Sequence, residues 1–169
     1  MDIAQAILGW LQPVWTLMQM LGVLIGFIMT GSSLLAIVRA QVERSKSNIA
    51  WVGVIVGILL GNLPAALNTL SYTIFNRGTQ SAIAYAGGGG GQYAQLEAAV
   101  LGVISLVGLY GVIKGFLLLR AAHESRDHFW HGIKHLIGGT LAVNIVPMLQ
   151  IGGASLGSTM QSVVTKIIG

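Results

Sequence analysis

Four long apolar stretches, arranged as two pairs, leave this chain few folds to choose from. Residues 16–38 and 49–75 flank a short loop carrying Arg39, Arg44 and Lys46, and residues 96–119 and 136–155 flank another carrying Arg120, Arg126 and Lys134. A bilayer core is crossed by about 20 mostly apolar residues in a helix, and each stretch approaches or exceeds that length. Only 8% of the residues are charged, against roughly 25% in soluble domains, and the mean hydropathy is +0.77. The predicted fold is therefore all-α and polytopic: four transmembrane helices as two tandem, parallel-repeat hairpins. Segment 1–75 holds the first hairpin, 76–95 a Gly-rich linker, and 96–169 the second hairpin with an amphipathic tail.

The basic residues predict an orientation. Of the nine Lys and Arg residues, six lie in the two intra-pair loops, and short loops rich in Lys and Arg stay cytoplasmic. Both termini and the Gly87–Gly91 run are then expected outside, in a protein of the bacterial inner membrane. Lys114 falls inside the third stretch, close enough to its cytoplasmic end for the ammonium to snorkel. The net charge of +4 is thus a topology signal, too small and too dispersed for sequence-specific nucleic-acid binding. The N-terminus lacks the basic region of a cleaved signal peptide.

The two halves look like copies offset by 81 to 84 residues. Gly31-Ser-Ser-Leu34-Leu35 answers Gly115-Phe-Leu-Leu118-Leu119, Val56-Gly57 answers Ile137-Gly138, and Asn62-Leu63-Pro64 answers Asn144-Ile-Val-Pro147. Glycines recur at four-residue spacing: Gly22/Gly26, Gly57/Gly61, Gly111/Gly115 and Gly153/Gly157, with Gly138-Gly139 beside them. Small residues at this spacing let helices touch in lipid, where packing is the main force joining them. Asn62 and Asn144 each precede a proline, Pro64 or Pro147, which frees the carbonyl four residues earlier. A kink glued by the amide and a polar pore lining are the two readings. Three shorter segments are amphipathic: Ile3, Ile7, Trp10, Leu11 and Val14, set off by Pro13; Leu67, Leu70 and Ile74; and Leu156, Met160, Val163, Val164, Ile167 and Ile168.

Enzyme chemistry finds little to work with. The chain has no Cys, which removes disulfides, thiolate ligands and thiol nucleophiles, and no carboxylate falls at mid-membrane, where proton pumps carry one. The Gly-rich run has neither the Lys-Ser/Thr nor the strand of a phosphate-binding loop. His123, Glu124, Asp127, His128, His131 and His135 crowd the second basic loop, and His131 and His135 have the i, i+4 spacing of metal ligands. Phe129 and Trp130 among them instead suggest an interfacial segment, so neither metal nor cofactor is expected.

Gly108-Leu-Tyr110-Gly111-Val-Ile-Lys114-Gly115-Phe-Leu-Leu-Leu-Arg120, a polar loop, Ile133–His135, Gly138-Gly139, Asn144 and Pro147 together resemble a known group. It is that of the small multi-span inner-membrane proteins of type IVB secretion (the Dot/Icm apparatus) and IncI-type conjugation, the DotE/IcmC and TraQ proteins. The likeness covers residues 108–147 directly and the first half through the repeat. It implies a non-enzymatic structural or channel-lining subunit of a conjugal-transfer or secretion machine, with no catalytic residues to carry over. Its implied partners are membrane lipids, other secretion-system subunits and further copies of itself. A pilin-like filament subunit and a stand-alone small channel or holin-like protein are the alternative readings.

Overall fold

The computed structural model describes residues 3–42, 48–78, 94–123 and 126–168. All regular structure among them is helical: α1 (Ile3–Val42), α2 (Asn48–Gly61), α3 (Leu63–Phe75), α4 (Ala94–Arg120), α5 (Arg126–Val143), α6 (Ile145–Ser155) and α7 (Ser158–Ile168), with a 3-10 turn at Ala121–His123. By length and composition α1 and α4 can each cross a membrane, and the pairs α2–α3 and α5–α6 join them only if each bent pair is one span. The described residues therefore hold two to four candidate membrane-spanning helices. The expected linker lies mostly outside the described residues, as do Arg44 and Lys46.

Pro13 does not divide the N-terminal region as expected, because α1 runs through it as one 40-residue helix. A mid-helix proline costs about 3 kcal/mol, so tertiary contacts must hold the helix across it. Leu11 and Trp15, on either side, are both buried, and Leu11 fills the space where a side chain on Gly102 would stand. The buried positions Leu11, Trp15, Gly22, Gly26, Met29, Ser33 and Ile37 then recur every three, four or seven residues, a single stripe facing one way.

The other expected spans are broken. The chain bends by 93° between α2 and α3 at Asn62, and by 84° between α5 and α6 at Asn144. Both asparagines leave helical geometry, with φ −123°, ψ 52° at Asn62 and φ −104°, ψ 40° at Asn144. Each proline then sits in the first turn of the next helix, where its missing N–H has no partner to lose. What reads as a kink within a span is the end of one helix and the start of another. The fourth stretch also starts earlier than expected: α5 begins at Arg126, ten residues before 136, because its first turns are polar and hydropathy hides them.

α1 packs along α2, and α4 along α5. Both pairs are antiparallel: Ser33 meets Gly53 while Gly26 meets Gly57, and Gly115 meets Gly132 while Gly108 meets Gly139. α1 and α4 lie against each other in parallel, Leu11 beside Gly102 and Gly22 beside Ile113. Between the four helices Leu60, Leu63, Leu109, Val112 and Val143 are fully buried. Closest approaches and breaks recur at one spacing of 82 residues: Gly26 to Gly108, Gly57 to Gly139, and Asn62 to Asn144. The counterpart of Gly57 is thus Gly139 rather than Gly138, and Gly115 answers Ser33 rather than Gly31.

Candidate functional site

The glycines sort by what their missing side chains make room for. A Cβ on Gly139 would stand 2.7 Å from the Gly108 carbonyl oxygen and 2.7 Å from the Val112 nitrogen; one on Gly108 would stand 2.6 Å from the Val143 nitrogen. On Gly115 it would meet the Leu136 nitrogen at 2.9 Å, and on Gly26 the Gly57 carbonyl oxygen at 2.7 Å. Gly57 comes equally close to the Thr30 nitrogen, at 2.8 Å. These neighbours are backbone atoms, which cannot rotate away. The space beside Gly22 is filled by Leu63 and that beside Gly153 by Val164 of α7, and a Cβ on Gly111 would stand 3.3 Å from the Gly139 Cα.

Three glycines expected at contacts play other parts. Gly138 and Gly61 direct no Cβ at any neighbour, although the Gly61 backbone lies against Gly26, and Gly157 faces open space with φ +98°. A helix turns by about 100° per residue, so Gly138 looks away from the seam that Gly139 forms. Gly157 instead lets the chain reverse between α6 and α7 in a conformation that glycine adopts without strain. Gly102, Gly108 and Gly132 carry contacts that a four-residue search overlooks, and Gly53, four residues before Gly57, carries one as well. The seven-residue spacings Gly108/Gly115 and Gly132/Gly139 were the signal available, since antiparallel helices meet on a heptad seam.

The two breaks, alike in backbone, differ in surroundings. Asn144 is 1% exposed, and its Nδ2 donates to Ser71 Oγ on α3 (2.7 Å) and to the Thr140 carbonyl (2.9 Å). Ser105 on α4 donates at 3.3 Å to the Val143 carbonyl, at the end of α5. Ser71, Ser105, Thr140 and Asn144 therefore form a buried polar knot tying α3, α4, α5 and α6 together. Its unsatisfied atom is Asn144 Oδ1. Asn62 is exposed, and its side chain caps nothing. Eighty-two residues before Ser105 stands Val23, so the first break lacks the hydroxyl that ties the second to α4. Ser71, Ser105 and Thr140 gave no signal in sequence, where small hydroxyls are scattered through every apolar stretch.

Helix directions bring Arg39, Arg120 and Arg126 to one end of the bundle, where all three are exposed. Lys114 and Lys134 lie on neighbouring helices slightly further in, also exposed, and line one groove with His135. Among the described residues no three His, Asp or Glu side chains converge to hold a metal ion. His128, His131 and His135 all lie on α5; Glu124 and the His123 side chain fall outside the described residues. Comparisons with protein-family models, curated proteins and solved structures each find no significant match.

Proposed function

We propose that this chain is a non-enzymatic subunit of a membrane-embedded translocation apparatus of the type IV, IVB-like secretion and conjugation class. Its role is structural or channel-lining. Two tandem hairpins, α1 with α2–α3 and α4 with α5–α6, anchor it in the inner membrane with the basic end cytoplasmic and the termini outside. The observation that carries this reading is the length of α1. Its apolar part, residues 3–38, is about 54 Å long at 1.5 Å per residue, against a hydrocarbon core of about 30 Å. Hiding it in lipid requires a tilt beyond about 50°, outside the usual range of about 0–40°. With Arg39 at the inner boundary, Ile3, Ile7, Trp10 and Val14 stand beyond the opposite boundary and are exposed, Trp10 by 72%. Apolar surface projecting from a membrane is an interaction surface.

Two further observations support assembly. The Asn62 side chain is exposed at its break and caps nothing, and an amide facing hydrocarbon without a hydrogen bond is costly; a partner subunit that bonds it removes that cost. The centre of the chain is filled by fully buried Leu and Val side chains, so a translocation path runs between copies or between this chain and its partners. Deleting the gene is expected to abolish conjugation or effector export and leave growth and membrane potential intact. Normal transfer in the deletion strain would refute the proposal. Ion conduction by the purified chain alone in liposomes would favour the stand-alone channel. Recovery of the chain as the repeating unit of an extracellular filament would favour the pilin.

A further inference from the structure

A groove of about 290 Å³ runs between α4 and α5 on the face away from the core, and it is polar at one end only. Lys114 of α4 stands level with Lys134 and His135 of α5 at its mouth, with Tyr110 one turn deeper. Gly111 and Gly138 form the floor, and Val107 and Ala142 close the deep end. From Lys114 to Val107 the groove descends about 10 Å at 1.5 Å per residue. It stays open because Gly138 brings no side chain and meets no neighbour.

Depth and charge together specify an occupant. The turns of α5 before Lys134 carry Arg126, Asp127, His128 and His131, residues costly to place in hydrocarbon, so the membrane boundary falls near the two lysines. The ammonium groups then lie at headgroup level and the apolar trough below them at acyl-chain level. Neither lysine has an ion pair among the described residues. Of the described carboxylates, Glu97 is at the far end of α4, and Asp127 is about two turns from Lys134 toward the helix start, by helix pitch. A small amphipathic groove with two unneutralised cations at its mouth matches one membrane component. Basic pockets between transmembrane helices on the cytoplasmic side hold anionic lipid headgroups.

We propose that the α4–α5 groove binds one anionic phospholipid, its phosphate held between Lys114 and Lys134 and an acyl chain lying over Gly111 and Gly138. The site does not depend on the assembly reading, since any membrane protein with this groove would use it.

The test reconstitutes the full-length chain in phosphatidylcholine nanodiscs containing phosphatidylglycerol, then measures lipid retained after detergent exchange by native mass spectrometry. The wild type is expected to keep about one phosphatidylglycerol per chain. Lys114→Gln/Lys134→Gln is expected to lose that preference by roughly tenfold, as removal of two charge-assisted contacts implies. Gly138→Leu fills the trough without touching the seam, and is expected to fold normally by circular dichroism while retaining no lipid. Unchanged phosphatidylglycerol preference in the double lysine variant would overturn the proposal. Full retention in Gly138→Leu would also overturn it, leaving a headgroup phosphate contact with no chain in the groove. A benzophenone attached at Lys114→Cys that marks a polypeptide rather than lipid would place a protein there and sink the idea as well.

Discussion

Gly138 and Gly139 are adjacent, identical and opposite in consequence. Alanine at 139 drives a methyl group into the Gly108 carbonyl and the Val112 nitrogen, and such overpacking costs about 1–3 kcal/mol. Alanine at 138 meets nothing and gains helix propensity, about 0.5–1 kcal/mol. Thermal unfolding in one detergent is therefore expected to place Gly139→Ala below the wild type and Gly138→Ala above it. Both changes in the same direction would mean that the helices do not meet at this seam. The asparagines make a second such pair. Asn144→Ala leaves the knot around Ser71 open and is expected to cost about 1–3 kcal/mol, with a measurable coupling to Ser71→Ala in a double-mutant cycle. Asn62→Ala is expected to cost under about 0.5 kcal/mol, as exposed substitutions usually do. Equal losses at the two sites would show that the buried hydrogen bonds of Asn144 contribute nothing. Sequence marked all four residues but could not rank them, because rank depends on which way a helix is turned and on hydroxyls donated by distant elements.

The elements were legible where the membrane imposes a length. Residues 16–38 and 96–119 lie within α1 and α4, since long apolar runs have few other places to go. Their companions were legible as helical apolar runs, but the break within each was not. A proline both distorts a helix in progress and suits the first turn of a new one, and Pro64 and Pro147 take the second role in a way no local pattern reveals. The start of α5 was hidden for a different reason: Arg126 to His131 belong to the helix but not to the apolar run. The break between α2 and α3 can be checked by distance. Spin labels at Ile55→Cys and Thr73→Cys are expected about 20 Å apart between backbones across a right-angled break, against about 27 Å along one straight helix. The longer distance would restore the continuous span.

For the molecule as a whole, the antiparallel and parallel packings gather the basic helix ends at one pole and leave α1, α3, α6 and α7 to shape the other. Labelling with a membrane-impermeant thiol reagent in cells is expected to modify Ser162→Cys on α7 and spare His128→Cys on α5; the reverse pattern would invert the orientation. The central claim is that the projecting end of α1 is covered by protein. Its most direct test is a photocrosslinking amino acid in place of Trp10, introduced into the full chain in cells that express the transfer apparatus. Discrete polypeptide adducts are expected that vanish when the neighbouring apparatus genes are removed, at a site about 13 Å beyond the bilayer core by helix rise. A chain that stays uncrosslinked, or that captures only lipid at Trp10 while transfer proceeds normally, would contradict it.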